Sequence, residues 1–218
     1  MSKTFVQDSA TMLGMGNRED LLAGAKRCLY EKGYANTTAR DIATAAGTSL
    51  AAIGYHFGSK EALMNDARLQ AIGEWTDQLT QALDFELDND AHSMERFAAI
   101  WTKMIESFET HRPIWVASFE MLAQIDHDPV VRDAVAEAQQ VARLGLAQLF
   151  HDIDPTIDDK GARAVGSFYL ALLPGVMAQW LIDPDEAPRG RDLADALRAI
   201  MSHLAPVEIP SARRRHRP

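Results

Sequence analysis

The stretch that decides the fold is Thr38 to Leu63, TARDIATAAGTSLAAIGYHFGSKEAL. Thr38 is followed three residues later by Asp41, the spacing at which a hydroxyl caps a helix's first turn and a carboxylate answers the cap's own amide. A short helix therefore starts here. Ile42, Ala43 and Ala46 share one side of it, and Gly47 can take the left-handed conformation that ends a helix without a Cβ clash. Ser49 then caps a second short helix, about Leu50 to Tyr55, whose Leu50, Ala51, Ala52 and Gly54 suit a major groove roughly 12 Å wide. Phe57 closes the core beneath it. Ser59 caps a third helix, and Lys60 in its first turn stands where an ammonium meets a DNA phosphate. Helix, glycine turn and second helix is also a way to pack helices with no ligand, so spacing alone leaves both readings open.

Upstream, residues 1–16 mix Ser, Thr, Gly and Met without a period and read as a flexible arm, with Lys3 near DNA at most. Asn17 is expected to cap the first helix, with Leu21, Leu22, Ala25, Cys28 and Leu29 as its apolar stripe and Gly33 at its end. Tyr34 plugs the junction with the next two helices. The single cysteine, Cys28, falls on the apolar side and reads as packing.

Downstream, a long helix runs from Ser59 to about Leu83, with Leu63, Met64, Ala67, Ala71, Ile72, Trp75 and Leu79 at helical spacing. It alone links the head to the rest of the chain, so any signal must move it. Asp84 to His92 reads as a surface turn. Ser93 opens a helix burying Phe97, Ile100, Trp101, Met104, Ile105 and Phe108. His111-Arg112-Pro113 ends that helix and starts another, Ile114 to Ala123, apolar almost all round and hence central. Asp128-Pro129 starts a helix to about Phe150. Asp158 or Asp159 opens the next, through Val165, Phe168, Tyr169, Leu172 and Leu173 to Leu181, with a kink expected at Pro174-Gly175. Arg189 to Leu204 is the last, and Val207 to Pro218 reads as a disordered basic tail. The chain is expected to be all-α, with about nine helices.

Composition narrows the function. The 218 residues carry a formal charge of −9, unevenly spread. Up to Asn65, seven Lys or Arg face six acids, a net of +1, which leaves −10 for the rest. An acidic body behind a near-neutral head would keep other faces off DNA. No run approaches the roughly 18 apolar residues of a membrane span and the start lacks a signal-peptide core, so a cytoplasmic protein is expected. The seven histidines show no zinc spacing. Nor is there a glycine-rich phosphate loop after a strand, or a Gly-x-Ser-x-Gly elbow, so neither enzyme chemistry, metal nor cofactor is expected.

Thr37-Thr38, Arg40 to Ala43, Ala46-Gly47, Ser49 and above all Tyr55 to Leu63, YHFGSKEAL, resemble the amino-terminal domain of the tetracycline-repressor (TetR) family of transcriptional regulators. The resemblance covers about Asn17 to Leu63, and beyond it only the helical layout is similar. It implies a helix-turn-helix DNA-binding domain over 17–63 and a helical ligand-binding and dimerisation domain over 64–205, the tail being 206–218. Thr38, Arg40, Tyr55, His56 and Lys60 then sit at positions that the family uses for DNA. In the expected contacts, Thr38 and Lys60 reach phosphates and Arg40 a base edge or phosphate. Tyr55 and His56 meet the backbone beside the groove, Leu50 and Ala52 meet thymine methyls, and Ser49 caps the reading helix. Two departures stand out. Ala51 replaces the family's usual Gly, and Gly54 its usual Tyr, which puts one phosphate-contacting phenol in doubt and weakens the helix end by roughly 1 kcal/mol relative to Ala.

The expected function is a ligand-responsive transcriptional regulator, a repressor that binds a palindromic double-stranded operator as a homodimer and is released by a hydrophobic or aromatic small molecule. The inducer site is expected at Trp75, Trp101, Met104, Phe108, Trp115, Phe119, Glu120 and Phe168, since aromatics and Met with a few polar fixings line apolar pockets. Glu120, set in an apolar run, needs a partner. The family's use of its last two helices for dimerisation implies an interface of Val165, Tyr169, Leu172, Leu197 and Met201. The alternative is a helical-bundle scaffold or enzyme whose helix-turn-helix is only a packing motif.

Overall fold

The structure, a computed structural model, describes residues 4–86, 94–123, 125–127 and 129–204. Among them stand nine α-helices, a short 3-10 turn at Ile125–His127 and no strand, which bears out the all-α expectation. Lys3, the link 87–93, Asp128 and the basic tail 206–218 lie outside the described residues, and so do the readings made on them.

The head is built from α1 (Thr4–Lys32), α2 (Ala39–Ala46), α3 (Leu50–Phe57) and the start of α4 (Lys60–Glu86). Its α1 begins at Thr4, so Asn17 lies within the helix and the flexible arm expected over residues 1–16 is helical from Thr4 on. No proline interrupts that stretch, and its two glycines lower helix propensity without removing a hydrogen bond. The head core joins Leu21, Leu29, Ile42, Ile53, Leu63 and Met64, with Cys28 and Tyr34 buried beside them as expected. Gly47, at φ 65°, closes α2, and its amide bonds back to Ala43 and Thr44. Gly24 has a role that no sequence pattern signalled. A Cβ there would meet the backbone nitrogen of Ala46 at 2.9 Å, so only glycine lets α2 lie this close on α1.

The body holds α5 (Met94–Glu106), α6 (Arg112–Leu122), α7 (Pro129–His151), α8 (Asp159–Ile182) and α9 (Gly190–Leu204), packed around the far half of α4. Its core is aromatic. Trp75 and Trp115 meet edge to face at 4.8 Å, Phe108 touches Trp115 and Trp180, and Phe150 stacks on Tyr169 at 3.9 Å. Phe108 belongs to the turn after α5, because that helix stops at Glu106 and not at His111. Pro113 takes the first turn of α6, where its missing N–H is no loss. Pro174 lies inside α8, which continues past it to Ile182.

Head and body share α4 and α6. Ala117 of α6 is part of the head core. In the seam the Arg68 guanidinium, 4% exposed, donates to Ser118 of α6 and to Asn65, each at 3.2 Å. Burial pulls its pKa down to about 10, which leaves it charged at neutral pH. Tyr30 of α1 bonds through its hydroxyl to His111 Nδ1, just before α6, at 3.1 Å.

Candidate nucleic-acid interface

The cap expected at Thr38 is present in full. The Asp41 amide donates to the Thr38 hydroxyl at 3.2 Å, and the Thr38 amide and hydroxyl donate to the Asp41 carboxylate at 2.9 and 2.6 Å. Lys32, at the end of α1, pairs with the same carboxylate at 2.5 Å. With Lys32 first and Thr38 second, these donors hold the Asp41 carboxyl far below the usual carboxylate range. The start of α2 is thus fixed to the end of α1.

Two caps differ in kind. Ser49 precedes α3 without a side-chain cap bond, so its exposed hydroxyl is left for another partner. Ser59 accepts the Ala62 amide at 3.0 Å and starts α4 as expected.

On α3, Leu50, Ala51, Gly54 and Tyr55 are all exposed, a stripe spaced as one helix face. Tyr55 is 84% exposed and crosses the His56 ring at 4.8 Å. Ile53 is buried, and Phe57 packs on the head core with the Arg18 guanidinium over its ring at 4.9 Å. Ala52 does not face outward. It packs on the head core, and Ala51 holds the outward place that was expected of Ala52. A shift of one residue turns a side chain by about 100°, enough to exchange groove for core. Both departures from the family pattern, Ala51 and Gly54, therefore lie on the exposed stripe.

Arg40 is exposed in the first turn of α2, and among the described residues it has no hydrogen bond or ion pair. Lys60 is more restrained. Its ammonium donates to the Thr37 carbonyl at 3.2 Å, lies 3.4 Å from Glu61 and sits 5.6 Å from the Tyr34 ring centre. Thr48, in the turn before α3, was not singled out from sequence; its hydroxyl is buried without a partner. The Thr-Ser pair ahead of a helix start was its only signal.

The eight residues expected to hold an inducer fall in three places. Trp75, Trp101, Met104, Phe108 and Trp115 form one buried cluster with Phe119 packed against it. The Trp75 indole donates to Ser107 at 2.8 Å, whereas the indole N–H groups of Trp101 and Trp115 are buried without a partner. Glu120 lines a cleft against the head instead. Phe168 is 52% exposed on α8, turned away from the cluster.

The expected dimer face divides in the same manner. Met201 is exposed, but Tyr169 is buried against Phe150 in its own chain, and Val165, Leu172 and Leu197 pack on the body core. The apolar groups left in solvent on the last two helices are Phe168, Ile182, Ile200, Met201 and Leu204. α8 is long and apolar enough, by length and composition alone, to cross a membrane, contrary to the expectation from sequence. Only 28% of its most apolar stretch is buried within this chain.

Comparison with known proteins resolves the fold's kinship. Residues 21–67 match the family model "Bacterial regulatory proteins, tetR family", and residues 92–203 match "Tetracyclin repressor-like, C-terminal domain". The chain belongs to the TetR family. The transcriptional repressor AcnR of Corynebacterium diphtheriae is 31% identical over 144 residues, 63% of this chain and 70% of that protein. The transcriptional regulator TtgR of Pseudomonas putida is 27% identical over 175 residues, 77% and 81% of the two chains. Among solved structures, Thermus thermophilus FadR in complex with lauroyl-CoA superposes with a TM-score of 0.60 at 20% identity, covering 89% of this chain and 98% of FadR. The multidrug binding protein EbrR, complexed with imidazole, gives 0.55 at 24% identity over 88% and 97%. These two share the fold. As a TetR-family member the chain is a transcriptional regulator, and its DNA-binding helix-turn-helix is the α2–α3 pair.

Proposed function

We propose that this TetR-family protein is a repressor that acts in the cytoplasm, binds a palindromic operator as a homodimer and leaves it when a hydrophobic or aromatic molecule enters the body. The observation that carries the reading is the exposed stripe Leu50, Ala51, Gly54 and Tyr55 on a helix otherwise locked into the head core, with unpaired Arg40 on the neighbouring helix. Arg40 suits a base edge or phosphate, Tyr55 and His56 suit backbone, and Thr38, Ser49 and Lys60 suit phosphates. One such helix reads too few base pairs to be selective, and two heads related by a two-fold axis read matched half-sites.

A second copy is supported by the apolar groups that α8 and α9 leave uncovered, a surface of the kind that marks association. That face is Phe168, Ile182, Ile200, Met201 and Leu204, in place of the inward Tyr169. The inducer reading is supported by the two unpaired indole N–H groups in an aromatic cluster. Each unmade bond costs about 1 to 3 kcal/mol, which a ligand bearing an acceptor oxygen or nitrogen would recover.

The test is a gel-retardation titration of the purified protein on the DNA upstream of its own gene. An inverted repeat retarded in the presence of unrelated competitor DNA, and lost in Arg40→Ala together with Tyr55→Ala, is the expected result. Retardation that unrelated DNA abolishes equally well returns the helix-turn-helix to a packing role.

A further inference from the structure

Between the end of α1 and the start of α6 lies a cleft of about 280 Å³ with one wall from each half of the molecule. The head contributes Tyr30, Lys32, Gly33, Ala35 and Asn36, and the body contributes Arg112, Pro113, Val116 and Glu120. It is separate from the aromatic cluster of the body. Arg112, Val116 and Glu120 succeed one another at intervals of four residues and so share one side of α6, facing the head.

Glu120 is the odd group in this cleft. One of its carboxylate oxygens is buried without a hydrogen bond, and among the described residues the carboxylate has no ion pair. The cations nearby do not serve it. Lys32 is held by Asp41 at 2.5 Å. Arg112 stands eight residues up the helix, about 12 Å at 1.5 Å per residue, and makes no ion pair either. Only Oε2 of the carboxylate is buried without a bond, and Glu120 lines the cleft with no cation of the described residues on its carboxylate, so its charge is open to a cation from outside.

We infer that the cleft is a second binding site, which takes a small organic ammonium: a charged head seated on Glu120 and a short apolar tail lying on Val116, Pro113 and the Tyr30 ring. The cleft's size and its mixed charged and apolar lining suit a small molecule with a short alkyl chain. Because the occupant touches both walls, it ties head to body and biases how the head is presented. That consequence for operator affinity rests on the proposed repressor function, whereas binding itself is measured without DNA, so the two fail separately.

The experiment is isothermal titration of the DNA-free full chain with n-butylammonium chloride, with n-butanol as the uncharged control of matched shape. Saturable binding of the ammonium and none of the alcohol is expected. Glu120→Gln, confirmed folded by circular dichroism, weakens the ammonium about tenfold or more, as the loss of a charged hydrogen bond requires. Ala35→Trp fills the cleft from its exposed rim, leaves the Glu120 side chain in place and abolishes binding. Unchanged affinity in either variant, equal binding of n-butanol, or no saturable binding to the wild type overturns the site.

Discussion

The head packs small residues at close range and fixes the start of α2 with a full capping box, whereas the body packs aromatic rings between its helices. In the head, Gly24 leaves α1 and α2 with no room for a methyl group, and the Thr38–Asp41 box with Lys32 fixes where α2 begins. In the body, four tryptophans and their phenylalanine neighbours meet at angles that one ring's displacement would change for the others. The difference teaches that a DNA-reading surface needs backbone placed to a fraction of an ångström. A ligand-responsive body needs contacts that have a second arrangement, as rings and polarisable Met side chains do.

The sharpest way to break the comparison is Phe108→Ala. Phe108 is fully buried and touches both Trp115 and Trp180, so its loss is expected to cost about 3 to 5 kcal/mol. All four tryptophans, Trp75, Trp101, Trp115 and Trp180, lie in the body, so tryptophan fluorescence reports on the body alone while far-ultraviolet circular dichroism reports on every helix. In urea the fluorescence midpoint should fall and separate from the dichroism midpoint. If the two still coincide, α4 and α6 couple head and body into one cooperative unit, and the division between them is structural only.

The same contrast explains what could be read in advance. Thr38, Asp41, Gly47, Ser59 and Pro113 each act through backbone chemistry local to a few residues, and each does what its spacing predicted. The rings were recognised as core, but their direction was not. Phe168 and Tyr169 are neighbours, one in solvent and one stacked on Phe150, and only the orientation of α8 against α7 decides which. That orientation hangs on Gly166, where a Cβ would strike the Arg143 carbonyl oxygen at 1.8 Å, a contact between helices that no local pattern announces. Ala51 and Ala52 were exchanged for a related reason. Two alanines have equal hydropathy, so nothing local told the groove side from the core side. Glu120 was singled out from sequence as a carboxylate in want of a partner, but the wall it faces belongs to the head.

Thr38→Ala should act in the opposite sense to Phe108→Ala and more weakly. Removing a cap costs about 1 kcal/mol, and here it also takes one of three donors from the Asp41 carboxylate, leaving Lys32 and the Thr38 amide. The dichroism midpoint is expected to fall with the fluorescence midpoint almost unmoved. The pH dependence sharpens this. Because the folded Asp41 pKa lies below its unfolded value, its contribution is complete above about pH 4 and is lost as pH falls through the folded value. Wild-type head stability should therefore decline below pH 4, and Thr38→Ala should decline less over the same interval. An identical slope in both would show that Lys32 and the backbone amide of residue 38 set the Asp41 titration without the hydroxyl.

The smallest expected effect sits on the boundary itself, at the bond between Tyr30 of the head and His111 of the body. Burial lowers the His111 pKa and, with the charge of Glu74 as a lesser cause, raises that of Tyr30. A neutral imidazole accepts the Tyr30 O–H at Nδ1; once protonated it donates to the Tyr30 oxygen, so the contact survives and the cost of charging is desolvation. A folded pKa below the unfolded value means that stability is complete above about pH 6.5 and is lost as pH falls through the folded pKa. Between pH 7.5 and 5.5 the melting temperature of the wild type should drop slightly, and that of His111→Gln should drop less. Glutamine keeps a hydrogen-bonding group beside Tyr30 but cannot charge, so a drop of the same size in the variant would place the titrating group elsewhere and leave the seam to Arg68, Asn65 and Ser118.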